Sequence, residues 1–588
     1  MTFANALQRA LAKQGETIEI PDTQMCETNP EDIPMMYRAQ ISGRCSLQYA
    51  GSKDDRDRWT EELVDPKERD SSPRHQHPEN SKDTENIVKE GCFLRLTIPF
   101  PWRVFTNCGQ DSIARPVLDV RGIPHIPGSS IKGLFRRRCQ QRDKSEPEKV
   151  TNRYCGDKEN VTPGILRFHG AYPVGDWAGT IKEGKPDGPS YRMVDVVHPQ
   201  EDWQIGKPSR KKNASALISL YQPTLVFEIS STQVLSQEEW NKIAGIFRTA
   251  LSQGLGGKTN SGYGLAYQPQ NRYYCNAYLI GQGSNPVLLS KDPEFRPNIF
   301  KSTLRGHTRR LLAGCLSSEP EVDSQVEKLF GCTDAPARVE IYWDGKLPSQ
   351  PASTYNAEGT LRMSAPEAKE KELLKLVFQF AYTMGGFGKS WRRVWHEKFY
   401  QPIYQEKHGD RRYDKDIGCH WEADDDWLRE IQTPEQLTAF LDRLQESCKK
   451  YCSGSSQPTR RPNNSPANRP TRQPQLVNWR ETWHRDRVTV YAAVTERSRA
   501  IELFHDRRFK TTPAIGGKNP GDQRPKYVSS VWHRMLPISA KQYLEIVTVF
   551  HGDRSQWRSN GGEGNSQLQP FIKELDEKKL KFIWGANL

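Results

Sequence analysis

The sequence predicts an α+β chain built from two copies of one unit, and three observations carry that prediction. Short runs rich in β-branched and aromatic residues recur along the 588 residues: FLRLTIPF (93–100), ILRFHGAY (165–172), TLVFEIS (224–230), YCNAYLI (274–280), RVEIYW (338–343), RVTVYAAV (487–494) and YLEIVTVF (543–550). Such runs read as strands. Between them lie fewer helical patterns: IKGLFRRRCQQR (131–142), EEWNKIAGIFRTALSQ (238–253), TLRGHTRRLLAGCL (303–316), EKELLKLVFQFAY (370–382) and PEQLTAFLDRLQESCKKY (434–451). Strands interleaved with helices indicate mixed layers of sheet and helix. Finally, the chain echoes itself, which makes the repeat the unit of organisation.

In chain order, residues 1–89 form an extension. MTFANALQRALAKQGETIEI reads as a short amphipathic helix without the apolar core and cleavage site of a signal peptide. Residues 51–88 are charged and nearly free of aliphatic side chains, which reads as a flexible insertion. The first copy is expected at 90–270 and the first part of the second at 271–404. A segment at 405–480 interrupts it and ends in a Pro/Asn/Arg/Ser-rich linker at 453–475. Residues 481–588 are expected to complete the second copy and form the tail.

The repeat has four ordered parts. PGSSIKGLFRRR (127–138) is echoed by FKSTLRGHTRRL (300–311). An aromatic-x-Gly or x-aromatic-Gly turn follows at YCG (154–156) and LFG (329–331), and a strand comes after each. His169 and Asp344 each lie 13 residues past the preceding glycine of that turn. A glycine loop closes each copy: GLGGKTNSGYG (254–264) and MGGFGKSWRR (384–393).

Composition narrows the function classes. Lys and Arg number 85 against 72 Asp and Glu, a net charge of +13, which favours a polyanionic partner. No run of about 18 apolar residues occurs, so no membrane span is expected. Twelve cysteines without a CxxC pair suggest reduced thiols and a cytoplasmic protein.

The repeated parts suit a phosphate backbone. Ser129, Ser130 and Thr303 are placed to cap helix N-termini, whose free N–H groups attract anions. Lys132, Arg136, Arg137 and Arg138 run along the first helix, and Arg305, Arg309 and Arg310 along the second, at spacings that suit a sugar-phosphate clamp. The loops add Gly256, Gly257, Lys258, Thr259, Asn260 and Ser261, and Gly385, Gly386, Lys389 and Arg392. Glycines permit close backbone approach and nest-like anion binding. The spacing is not that of a Walker loop. Tyr263, Phe387, Trp391 and Trp395 are candidates either for base stacking or for the core.

GIPHIPGSSIKGLFRRR (122–138), the glycine turn and GLGGKTNSGYG together resemble the RAMP proteins of type III CRISPR effector complexes, most of all their guide-lining backbone subunits. The second copy departs from the pattern, with FRPNIFKSTLRG in place of the Pro-Gly-Ser-Ser lead. Two fused copies resemble the double backbone subunit of type III-D systems. The resemblance implies a ferredoxin-like, RRM-like core in each copy, with a thumb hairpin near 190–215. It implies a crRNA guide, a complementary target RNA and other subunits of the complex as partners.

The resemblance also implies target-RNA cleavage by an Asp in the loop before Pro-Gly-Ser-Ser, with a Mg or Mn ion. Asp111 occupies that place, and Asp119 is the runner-up. Asp292 matches Asp119 in the second copy, which suggests that both are turn residues. The second copy has no Asp between 276 and 291, so it is expected to bind RNA without cutting.

Two other readings stand beside this one. A stand-alone guide-processing endoribonuclease would use a histidine such as His125 or His169 as base. A non-catalytic RNA-binding scaffold needs neither group. Structural zinc has candidate ligands in Cys419, His420, Cys448 and Cys452, and in Cys139, Cys155 and His169, although the spacing is loose.

Overall fold

The structure is a computed structural model. It describes residues 88–588 apart from internal stretches, chiefly 111–112, 119–122, 143–146, 182–189, 198–214, 267–272, 333–336, 347–352, 409–416, 454–476, 517–528 and 559–564. The helix expected near the N-terminus and nearly all of the segments 51–88 and 453–475 lie outside the described residues.

The fold is α+β. The first sheet contains β1 (Val88–Glu90), β2 (Phe93–Pro99), β3 (Leu166–Val174) and β4 (Thr224–Ser231), in the order β1-β2-β4-β3, all antiparallel. Helices α1 (Gly128–Arg142), α2 (Pro147–Cys155) and α3 (Gln237–Leu251) accompany it. Apolar residues of one face, such as Leu94, Leu96, Phe227 and Ile229, bury against Phe135, Ile243 and Phe247 of these helices. Among the described residues no strand after α3 joins this sheet; β1 fills that edge.

The second sheet contains β5 (Cys275–Ser284), β6 (Glu340–Lys346), β7 (Thr354–Ser364) and β8 (Cys419–Ala423), in the order β6-β7-β5-β8. With α4 (Asn298–Ala313) and α5 (Glu319–Phe330) after β5, and α6 (Ala368–Met384) after β7, it reads βαββαβ, the ferredoxin-like order. The segment 405–480 is therefore not a plain interruption. It supplies β8, which completes this sheet, and α7 (Pro434–Ser453), which packs on α4 and α6.

The strands of 481–588 do not extend that sheet. β9 (Val488–Thr495), β10 (Val531–Pro537), β11 (Tyr543–Phe550) and β12 (Lys581–Gly585) pair in the order β10-β11-β9-β12, with α8 (Leu568–Glu577) between the last two strands. This is the ferredoxin-like strand order again, so the expected completion of the second unit is a third unit. The reason lies in α6. Its sequence, LLKLVFQFAYTM, is apolar nearly all round, and such a helix must be covered on every side. Phe378 meets Phe387 and Trp427 on the second-sheet side, while Phe380 meets Trp483 and Trp532 of the later segment. Each such buried ring contributes about 1.5–3 kcal/mol. β9 is buried on both faces: Val488, Val490 and Ala492 join the core shared with α6, while Tyr491 and Ala493 join a second core beneath α8.

The first two units are fastened together. Arg103 grips Glu294 with two parallel bonds, Nε to Oε1 at 2.7 Å and Nη2 to Oε2 at 2.6 Å, and both side chains are buried. Its Nη1 donates to Ser219, and Trp102 donates its indole N–H to the Trp343 carbonyl.

Candidate nucleic-acid interface

The sequence repeat is a repeat of geometry. The loops entering α1 and α4 each close with one antiparallel bridge, Leu118–Pro124 and Val287–Pro293. The two glycine turns end α2 and α5 with left-handed residues, Gly156 at φ 91° and Gly331 at φ 80°. Their N–H groups return to Asn152 and Glu327. After α3 and α6, positive φ alternates in the same rhythm: Gly254, Gly256 and Lys258 in one loop, Gly386, Gly388 and Ser390 in the other. In both loops much of this backbone is turned back on the protein: Gly254, Leu255 and Gly257 donate to Leu251, Gly264 and Phe105, and Gly386 donates to Ala381, so these N–H groups do not form an open anion nest.

The first loop lies along residues 103–105. A Cβ on Gly256 would stand 2.2 Å from the Phe105 carbonyl oxygen, so only glycine fits there. Gly257 donates to that oxygen at 2.7 Å, and Gly264 donates to the Arg103 carbonyl at 2.9 Å. Lys258 is exposed and Thr259 half-buried; Asn260 and Ser261 lie outside the described residues. So do Asp111 and Asp119, although the hairpin flanking Asp111, Cys108–Gln110 with Ile113–Arg115, is described. It joins a small sheet with Val194–Val197 and Ser215–Ile218. The latter two strands form an antiparallel hairpin where the thumb is expected.

On α1, Ser129, Ser130 and Arg137 are exposed, and Lys132, Arg136 and Arg138 are half-buried. The two serines lie inside the first turn, not before it. None of these four basic residues forms an ion pair among the described residues. Gly133 sits in their midst, exposed, with nothing within 4 Å of a built Cβ. A glycine inside a helix costs roughly 0.5–1 kcal/mol relative to Ala, and no packing contact here requires one.

On α4 the same motif is turned inward. Pro297 stands at the N-cap and no side chain caps the helix, so Thr303 is not a cap; it is buried in the second turn. Arg305 is exposed, whereas Arg309 pairs with Asp323 at 3.0 Å. Arg310 is buried and donates through Nε to Glu481 at 2.7 Å. Arg392 donates to both oxygens of the same carboxylate at 3.0 Å, and Arg480 lies 3.5 Å away. Burial pushes the Glu481 carboxyl up, but Arg310, Arg392 and Arg480 outweigh it and hold the group well below the carboxylate range. Burial pulls Arg310 down to about 10 against the opposing pull of Glu481. Gly385 and Gly386 are buried against Trp391, Trp421 and Cys419, while Lys389 is exposed.

The structure joins Thr303, Arg310, Lys389 and Arg392 around one open cavity. Sequence reasoning missed Glu481, which stands 171 residues from Arg310. Tyr263, Phe387, Trp391 and Trp395 are core residues, at most 9% exposed, so they are not stacking platforms. His169 faces away from the helices and shares a 2.6 Å hydrogen bond with Ser230, while Cys139 and Cys155 are buried on the helix side. Cys419 packs against Gly386, and Cys448 and Cys452 lie on α7. Among the described residues, no three His, Cys, Asp or Glu side chains are grouped to hold a metal ion. No helix among the described residues is long and apolar enough to cross a membrane.

A family model described as the RAMP superfamily matches residues 105–267, from the segment under the first glycine loop to just beyond the loop itself. No curated protein matches the chain. Similar solved structures include Cmr1 from Pyrococcus furiosus, 13% identical over 53% of this chain and 98% of that one, with a TM-score of 0.32. They also include Cmr6 from Pyrococcus furiosus, 15% identical over 30% and 98%, TM-score 0.19. A chain titled Type IV-B CRISPR Complex is 14% identical over 29% and 87%, TM-score 0.19.

Proposed function

We propose that this chain is an RNA-binding subunit of a multi-subunit CRISPR effector complex, holding a crRNA guide and its target along the first unit. One observation carries the reading: α1 presents Lys132, Arg136 and Arg137 without ion pairs around the open glycine Gly133, inside the span that matches the RAMP superfamily. Unpaired cations beside a bare stretch of helix backbone suit a sugar-phosphate chain, which can come close at Gly133. Protein contacts of this kind grip the backbone, and base pairing between guide and target reads the sequence. The double backbone subunit of type III-D systems is the form we propose.

Native purification tests this. The chain should bring down RNA and other subunits, with affinity falling steeply with salt. Protein that carries no RNA at any salt concentration defeats the reading.

We further propose that the assembled complex cuts target RNA at one place, with Asp111 as the acid. A Mg or Mn ion there would stabilise charge on the scissile phosphate. Asp111→Ala should remove one cut, measured on a labelled target with and without chelator, while guide binding persists. A variant that still cuts at every position refutes the assignment.

A further inference from the structure

The basic helix and the glycine loop of the second unit enclose a cavity of about 360 Å³, lined by Ser302, Thr303, Gly306, Arg310, Lys389 and Arg392 among others. That is the lower range of small-molecule sites, roughly 300–1,000 Å³, and it accommodates a nucleotide-sized group. Beneath it lie three guanidinium groups, those of Arg310, Arg392 and Arg480, around one carboxylate, Glu481. Neighbouring His307 is fully buried, and burial holds it well below its ordinary value, so it adds no charge at neutral pH. The cluster therefore keeps two positive charges more than it neutralises, and Lys389 adds a third at the rim. Burying charge without a counter-ion is costly.

The geometry leaves donors for an anion. Arg310 and Arg392 use Nε and Nη2 on Glu481, and no partner of either Nη1 is found among the described residues. Both guanidinium planes are steadied over the Trp391 ring, at 5.2 and 4.5 Å from its centroid. Two fixed arginines with one edge each free form a fork for phosphate oxygens.

We propose that this cavity binds the phosphate of a single RNA nucleotide, with Glu481 as a built-in counter-ion that fixes the arginines. The proposal rests on the reading that the chain holds RNA. It adds that the second unit takes one phosphate in a fork of two arginines, where the first grips a stretch of backbone on a helix surface. A chain end and an internal link both offer such a phosphate, and the probes below separate the two.

The test uses the full chain, freed of nucleic acid. Inorganic phosphate should raise the thermal unfolding midpoint above that in chloride of equal ionic strength. Lys389→Glu, an exposed rim substitution, should abolish the rise. Lys573→Glu, an equal charge change on exposed α8, should keep it. A ten-nucleotide RNA should bind about tenfold more weakly to Lys389→Glu at low salt, with a shallower salt dependence. A greater loss for the 5′-phosphorylated than the 5′-hydroxyl form assigns the site to a chain end, and equal losses to an internal link; both support the proposal. No phosphate effect in the wild type, or an undiminished one in Lys389→Glu, overturns it. RNA binding that is weakened by Lys132→Glu but untouched by Lys389→Glu overturns it while sparing the broader reading. Absence of RNA binding in the wild type overturns the broader reading itself.

Discussion

Gly133 and Gly306 stand at the same place in two copies of one basic helix, and their surroundings differ. A Cβ at Gly133 meets nothing within 4 Å, whereas one at Gly306 meets Arg310 Nη1 at 2.8 Å. The first helix keeps its cations on the outside. The second has folded two of its three arginines into ion pairs, Arg309 with Asp323 and Arg310 with Glu481. The same spacing of residues thus serves an open surface in one unit and an internal cluster in the other. What differs is the neighbour: a third unit covers α6 and brings Glu481 with it.

The contrast can be broken most forcefully at Glu481. Glu481→Gln should leave the buried guanidinium groups of Arg310 and Arg480 and the half-buried one of Arg392 without a full counter-charge and cost about 3–5 kcal/mol of stability, read by denaturant unfolding. Arg137→Gln on the first helix should change stability by less than about 0.5 kcal/mol. Comparable losses at the two positions would erase the distinction.

Acid should strain the second unit through its buried imidazoles. Burial lowers His307 far below its ordinary value and His420 to about 4. Above about pH 6.5 both rings are neutral in folded and unfolded chains, so stability is unaffected. As pH falls below that, the unfolded chain takes up protons that the folded chain refuses, and stability drops by up to about 1.4 kcal/mol per pH unit for each ring. His307→Leu should flatten this decline by one proton's worth, seen in unfolding midpoints between pH 6.5 and 4.5. An unchanged slope would show that His307 is not the group responsible.

Binding separates the copies next. Reversing Arg136 and Arg137 together to Glu should lower RNA affinity and reduce the slope of log affinity against log salt by about 0.7–0.9 for each phosphate left without its cation. Arg309→Glu, whose partner is Asp323, should change that slope little. The mildest probe is Gly133→Ala, which should stabilise the fold by roughly 0.5–1 kcal/mol while weakening RNA binding. A stabilised variant with unweakened binding would remove the reason given for the glycine.

Much of this was legible in the residues. The β-branched runs became strands and the periodic segments became helices, because both bury one or two continuous faces. The repeat was legible because its glycines hold left-handed turns at Gly156 and Gly331. TYNAEGTLRMS, which forms β7, was hard to read because two of its inward residues, Ala357 and Gly359, are too small to mark an apolar face; Gly359 lies opposite Gly345 across the sheet. β8 is only five residues long and follows an undescribed stretch. The third unit carries no repeat signature, since short turns between 501 and 515 stand where the basic helix would be. Nor does a local pattern mark Glu481 as a partner of Arg310. The nearest signal is the crowd of Trp479, Trp483 and Arg480 around it, an aromatic density foreign to a linker.

Glu481 also sets an order of events at the ribosome. The segment bearing Arg310 and Arg392 emerges long before residue 481 is made, and domains generally fold as they appear. The first unit, whose buried core runs from Leu94 to Leu255, waits on little more than Glu294, the partner of Arg103, and so has most of what it needs early. The second does not, because the buried Arg310 and the half-buried Arg392 lack their counter-charge and one flank of α6 lacks its cover. Its core can close only when the third unit arrives, so the later half of the chain matures in one late step. A nascent chain stalled before 477 would display a cluster of unneutralised arginines that the finished protein keeps inside.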